Sequence, residues 1–222
     1  MPRVVLVTGK GGVGKTTTAA ATAVRAARSG LRTLVMSTDA AHSLGDALDV
    51  DLRTARTWDD SHAVEPGLHA LAVGAHTAVE ADWQVVRDYL LGVLDAMGVD
   101  PVVADELTSL PGAEEVTALA ALALQTQRGQ WDLVVVDCAP TAETLRLLAL
   151  PEVLGWHLDR LLPAQRRLLT VLRPAASAAT GVPVPGPEVL LVLRAWRDLM
   201  VEVRTLLTSP RASVRVVLTP ER

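Results

Sequence analysis

The apolar residues of this chain fall into two rhythms. Short runs rich in Val and Leu, at Val4 to Thr8, Leu31 to Ser37, Leu68 to Val73, Leu133 to Asp137 and Val214 to Leu218, read as strands buried on both faces. Between them, apolar positions recur at helical spacing. An Ala-rich helix is predicted from about Thr16 to Arg28, with Gly30 just past its end, where left-handed geometry is tolerated. Val79, Trp83, Val86, Leu90, Leu94 and Met97 mark one face of a long helix over Ala75 to Met97. A further helix over Ala113 to Gln127 opens after Pro111-Gly112, with Glu114 and Glu115 in its first turn, where the helix dipole favours acids.

Strands alternating with helices predict an α/β fold with a doubly wound, mainly parallel sheet and helices on both faces. The last third of the chain differs. Pro151 to Arg173 is apolar-rich and helical in pattern. Pro174 to Pro187 is a Pro/Ala/Gly/Val linker with four prolines. Val189, Val192, Leu193, Trp196, Leu199, Met200, Val203, Leu206 and Leu207 then line one helix face. We expect one domain over residues 1–222, with a helical subdomain inserted at 151–210. A parallel edge strand at Val214 to Leu218 without a covering helix is unusual, so we expect the domain to be incomplete at its C-terminus. No internal repeat is visible.

Composition narrows the function more than the fold. The chain has 222 residues, 50% hydrophobic and 21% charged, with a formal net charge of -4, which gives no basic excess for nucleic acid. A single cysteine, Cys138, excludes an internal disulfide framework and an all-Cys metal site within one chain. No basic leader precedes the first strand, and charges interrupt every apolar stretch before the ~20 residues of a transmembrane helix. The expected address is cytoplasmic. Of the 21 Lys and Arg residues only Lys10 and Lys15 are lysine. A general preference for Arg accounts for the scarcity, but not for the placement of both in one glycine-rich loop. A compact ammonium suits a narrow anion cradle better than a planar guanidinium.

That loop, Gly9-Lys10-Gly11-Gly12-Val13-Gly14-Lys15-Thr16, matches G-x-x-x-x-G-K-[ST] between a predicted strand and a predicted helix, the context the phosphate-binding motif requires. Glycines let backbone N–H groups converge on phosphate oxygens, and the helix N-terminus adds partial positive charge. Gly11, Gly12, Val13, Gly14, Lys15, Thr16 and Thr17 are the expected nucleotide-binding residues. Lys15 would reach the β/γ-phosphates and the Thr16 hydroxyl would ligate Mg²⁺. The competing reading is a glycine-rich turn that binds nothing. Asp137 ends a hydrophobic strand, the Walker B arrangement in which a carboxylate holds a magnesium-bound water.

The loop KGGVGKTT resembles the signature-lysine subclass of P-loop proteins, which includes MinD, ParA, the nitrogenase iron protein and ArsA. That resemblance implies that Lys10 acts across a dimer interface on the partner's nucleotide; otherwise it is a solvated loop lysine. Ser37-Thr38-Asp39-Ala40-Ala41-His42-Ser43-Leu44 is similar to the switch I segment STDPAHSL of the arsenite-pump (ArsA) and tail-anchored-protein-targeting ATPases. Asp39 falls on that family's catalytic aspartate, which orients the attacking water; an Asp at such a place also serves as a helix cap. Asp137-Cys138-Ala139-Pro140-Thr141-Ala142-Glu143-Thr144-Leu145-Arg146 resembles its switch II, DTAPTGHTLRFL, and Leu110 to Glu115 resembles LPG-x-x-E. Ala142 and Glu143 stand where the family has Gly and His, and Ala40 where it has Pro. The likeness is dense from Val4 to Pro151 and looser to Thr219-Pro220-Glu221.

By resemblance the expected activity is Mg-dependent ATP hydrolysis. The ATPase would be a homodimer, or a heterodimer with a paralogue, whose closure is coupled to a hydrophobic membrane-protein client or a membrane partner. Leu158, Leu161, Leu162, Leu168, Leu169 and Leu172 are either core or part of a client groove. The cysteines of the arsenite site and the CxxC of the eukaryotic targeting ATPase are missing, and adenine preference rests on resemblance alone. Two other readings stand beside this one, a ParA/MinD-like positioning ATPase and a nucleotide-gated binding module with negligible turnover.

Overall fold

Val4, Leu6 and Val7, all buried, make the first strand an interior one, covered on both faces. A computed structural model describes residues 1–38, 43–52, 61–73, 77–107, 113–139, 144, 148–149, 151–152 and 184–219. Its strands are β1 (Arg3–Thr8), β2 (Thr33–Ser37), β3 (His62–Glu65), β4 (Leu68–Ala72), β5 (Leu133–Asp137) and β6 (Ala212–Val216). They form a six-stranded sheet in the order β3-β4-β2-β5-β1-β6. Every pairing is parallel except that of β3 with β4. The α/β, mainly parallel sheet expected from the sequence is therefore the one observed.

Layers form on both faces. On one lies α1 (Lys15–Arg28), whose Ala19, Ala20, Ala23 and Ala27 pack against Val7, Val35 and Val135. Four alanines in that stripe bring the helix backbone close to the sheet. Its end is a Schellman turn: Gly30 N–H donates to Ala27 and Leu31 N–H to Ala26, with Gly30 at φ 92°. Consequently Leu31 belongs to the helix cap, and β2 begins at Thr33 rather than at Leu31. The other face is covered by α5 (Ala113–Gln127) and α6 (Pro187–Leu207), which bury Leu119, Leu122, Met200, Val203 and Leu206 against Val4, Leu6, Val134 and Val136. Outside them lies α3 (Thr77–Ala96), joined through Val86 to Val116, Val189, Leu193 and Trp196 in a second small core. Trp83 and Trp196 stack there at 6.2 Å between ring centroids.

Three details depart from the expected elements. β3, an antiparallel edge strand of four residues, has no apolar alternation to announce it; the Pro66-Gly67 turn before β4, with Gly67 at φ 80°, is the signal that marks it. Two short helices, α2 (Ser43–Leu48) and α4 (Pro101–Leu107), were likewise not expected. β6 runs from Ala212 to Val216, two residues earlier than predicted, because its register is set by β1: Val4 lies opposite Ala212 and Thr8 opposite Val216. Leu218 is apolar but lies beyond the ladder, 77% exposed.

The helix expected from Val189 to Leu207 is α6, whose buried residues Val189, Leu193, Trp196, Met200, Val203 and Leu206 fall on the expected face. The rest of the expected 151–210 helical subdomain, including all six leucines from Leu158 to Leu172, lies almost entirely outside the described residues. At the base of the sheet Arg32 forks onto Asp132, with guanidinium-to-carboxylate distances of 2.8 and 3.1 Å. That contact ties the start of β2 to the start of β5 and holds the Asp132 carboxyl down to about 2.

Candidate functional site

Because β1, β2 and β5 are parallel neighbours, the segments that follow them emerge together at one edge of the sheet, where open α/β folds bind ligands. After β1 comes the glycine loop. Gly9, Gly12 and Gly14 have φ of 153°, 78° and 87°, conformations that a side chain resists. Around Gly11, Gly12 and Gly14 an added Cβ would meet nothing within 4 Å, so open space lies beside each of them. Gly14 caps α1 without a side-chain hydrogen bond, and no acid stands in the helix's first turn. The first-turn N–H groups thus keep their positive end for an outside anion.

Lys15 is 8% exposed, and its ammonium donates to the Lys10 carbonyl at 3.4 Å, across the loop. An anion bound in the loop would find that ammonium close at hand. Thr16 is half-buried, while Lys10, Gly11, Gly12 and Thr17 are exposed. These surroundings suit contact with a ligand or a second molecule more than a place in the core.

Asp137 ends β5 between Val7 of β1 and Ser37 of β2 in register, and is 1% exposed. It shares a strand face with Leu133 and Val135, the face that packs on α1, so its carboxylate lies on the side of Lys15. The neighbouring thiol of Cys138, on the opposite face, reports that charge. Burial first, then the Asp137 carboxylate, push Cys138 up to about 12, while Thr144 and Lys15 pull the other way. Thr16 and Asp137 supply a hydroxyl and a carboxylate, hard oxygen donors of the kind magnesium takes while keeping most of its waters. Among the described residues no cluster of three His, Cys, Asp or Glu side chains could hold a metal by itself.

Asp39 lies outside the described residues, as do Ala40 to His42 and Pro140 to Glu143 of the two segments resembling switches. Their anchoring residues are described. Thr38 N–H donates to the Asp137 carbonyl at 3.0 Å, extending the β2–β5 ladder one residue past the strands. The Thr38 hydroxyl accepts from the Ala139 N–H at 3.3 Å. Thr144 donates to the Ala139 carbonyl at 2.7 Å and accepts from Thr8 at 3.0 Å. No sequence signal singled out this threonine set. Its members belong to three separate segments, and hydroxyl pairs of large sequence separation leave no periodic trace.

A glycine loop between a buried parallel strand and its helix, with an acid at the end of the adjacent strand, defines a P-loop nucleotide-binding protein. A family model described as anion-transporting ATPase matches residues 2–222. A protein of Chlorobaculum tepidum, provisionally named an arsenical pump-driving ATPase, is 36% identical over 99% of this chain and 54% of its own length. The ATPase GET3B of Arabidopsis thaliana is 33% identical over 95% of this chain and 55% of its own. A Mycobacterium tuberculosis protein, Rv2184c, is 38% identical over 99% and 52%. The chain belongs to the ArsA family of ATPases. It spans about half the length of the curated relatives it matches.

Proposed function

We propose that the protein hydrolyses ATP in a magnesium-dependent manner and works as a dimer. The observation that carries this reading is the nearly buried Lys15 in a glycine loop with open space beside Gly11, Gly12 and Gly14, on the same side of the sheet as Asp137. In this reading Gly11, Gly12, Val13, Gly14, Lys15, Thr16 and Thr17 bind the phosphates, with Lys15 at the β/γ oxygens. Thr16 would hold magnesium directly and Asp137 would hold it through water. Magnesium, when bound, neutralises charge on the phosphate oxygens. Asp39 orients the attacking water, and Lys10 reaches the partner subunit's nucleotide to balance charge that develops there. Exposure of Lys10 supports a role outside its own subunit.

The dimer is a homodimer or pairs with a paralogue, its setting is the cytoplasm, and its client is a hydrophobic membrane protein or a membrane partner. Support for the last point is the naming of two relatives, one for driving an arsenical pump and one as GET3B. Among the described residues no helix is long and apolar enough to cross a membrane. Residues 1–222 act as one ATPase domain, with 151–210 as its helical subdomain. Replacing three of Leu158, Leu161, Leu162, Leu168, Leu169 and Leu172 by Ser tests a client groove: client binding weakens while ATP affinity holds, and unfolding instead assigns those leucines to the core.

Mixing Lys10→Ala protein with Lys15→Ala protein tests the shared site. The mixed dimer has one site with an intact Lys15 and an intact Lys10 from its partner, so turnover recovers relative to either variant alone. Absence of recovery in demonstrated mixed dimers rejects action in trans. Asp39→Asn keeps Mg-ATP binding and lowers turnover by roughly 10²-fold or more. A specific departure, Ala142-Glu143 in place of Gly-His, favours one second reading, a nucleotide-gated binding module. Wild-type turnover no faster than that of Asp39→Asn selects it.

A further inference from the structure

Ala139 is held on both sides by threonine hydroxyls. Its N–H donates to the Thr38 oxygen at 3.3 Å, and its carbonyl accepts from Thr144 at 2.7 Å. Each hydroxyl has one proton to give, which orders the set. Thr144 spends its proton on the Ala139 carbonyl, so its oxygen is the acceptor for Thr8, 3.0 Å away. Thr38 directs its own proton to the Asp137 carbonyl at 3.5 Å, a long contact beside the stronger backbone bond from Thr38 N–H at 3.0 Å. The protons point consistently along the chain Thr8 to Thr144 to Ala139, and from Ala139 through Thr38 back to Asp137. Hydrogen bonds aligned in this way polarise one another.

The position of the set matters more than its strength. Thr8 immediately precedes the glycine loop, Thr38 immediately precedes Asp39, and Ala139 lies two residues after Asp137. Each of the three segments of the candidate site therefore contributes one member. Strand alternation puts Thr8, Thr38 and Cys138 on the face toward α5 and α6, with Leu6, Met36 and Val136. Asp137 points to the other face, toward α1. The hydroxyls therefore lie behind the site, away from bound phosphate. Thr8 and Thr144 are 5% and 2% exposed. Filling that space with valines would satisfy packing at no desolvation cost, so the hydroxyls there are not explained by the core alone.

We propose that Thr38 and Thr144, bonded to the two sides of Ala139, are positioning residues that hold the segment after β2 in fixed register with the segment after β5, and thereby support turnover at the site without touching the nucleotide. The proposal rests on the ATPase reading above. Neither threonine touches the nucleotide; both act through Ala139, and Thr8 anchors the set to β1.

The test uses the full-length protein and four variants, Thr38→Val, Thr144→Val and the two Thr→Ser changes. Each Val variant lowers kcat roughly 3- to 10-fold, the scale of one hydrogen bond, with KM for Mg-ATP moving less than about twofold. Each Ser variant, which keeps the hydroxyl, restores kcat. The double Val variant loses no more than the worse single one, because both act on one residue. Independently of turnover, amide exchange at Ala139 quickens in Thr38→Val. If Thr144→Val fails to fold, Thr38→Val at its half-buried position carries the test. Wild-type kcat in folded Val variants, additive losses in the double variant, or losses that Ser does not restore would overturn the proposal. Wild-type protein that binds no Mg-ATP removes the ATPase reading and this inference together. Wild-type protein that hydrolyses ATP no faster than Val variants with unchanged Ala139 exchange removes this inference alone.

Discussion

A Cβ placed on Gly9 would lie 2.4 Å from the carbonyl oxygen of Val217, so the first residue of the glycine loop and the residue after β6 meet backbone to backbone. The contact is fixed from the other side by the Val217 N–H, which donates to the Thr8 carbonyl at 2.7 Å. Gly9→Ala must therefore push apart two peptide segments, at φ 153° as well. We expect a loss of about 1–3 kcal/mol in unfolding free energy, the range for overpacking and backbone strain. Gly11→Ala, where nothing lies within 4 Å, leaves stability within about 0.5 kcal/mol. Denaturant midpoints of the two variants, measured side by side, decide the matter.

Lys15→Ala weakens nucleotide binding by roughly 10- to 100-fold, the scale of a charge-assisted hydrogen bond, while the protein stays folded. Calorimetric titration with Mg-ATP, paired with a thermal melt, reads both halves. Affinity within twofold of wild type would reject the phosphate-loop assignment.

The Cys138 thiol, pushed by burial up to about 12, well above the ordinary range of a free thiol, gives a pH signature with a definite sign. Above pH 9 the unfolded chain ionises its thiol and the folded chain does not, so the folded state binds the extra proton. Stability at this residue is flat below pH 8 and falls as pH rises from about 9 toward 12. Cys138→Ser lacks that component of the decline. Native protein also reacts slowly with iodoacetamide at pH 8, since only the thiolate attacks, and reacts readily once unfolded.

Trp196, 5% exposed and stacked on Trp83, joins α6 to α3. Trp196→Ala costs about 3–5 kcal/mol, as for other large core truncations. Amide exchange in α3 rises more than in β1 or β5 if the second core is the local support of that helix. An equal rise everywhere indicates that the three helices and the sheet unfold as one unit.

Much of the frame was legible in the residues. Leu133 to Asp137 is a run of Leu and Val ending in an acid, and its strand and its burial follow from that pattern. Gly30 announced the end of α1 because a Schellman turn needs a residue that accepts positive φ. The glycine loop was legible for a similar reason, since its backbone makes demands only glycine meets. What escaped notice depends on pairing across the sheet. The register of β6 is dictated by Val4 to Thr8, residues at the other end of the chain. β3 is half-exposed, and its His62, Ala63 and Glu65 carry no β signature. The threonines at 8, 38 and 144 are ordinary one by one and acquire meaning only when the strand ends converge.

The placing of β1 between β5 and β6 has a consequence for biosynthesis. β1 and its glycine loop are made before both of the strands that flank β1, at Leu133–Asp137 and Ala212–Val216. Gly9 rests against Val217, which follows the second of those partners. The nascent chain thus carries its phosphate loop out of the ribosome long before the backbone that shapes it exists. Such non-local closure is slow and leaves the first strand's edges bare meanwhile. A growing polypeptide stalled short of Val217 would present the motif in full and the binding site only in part.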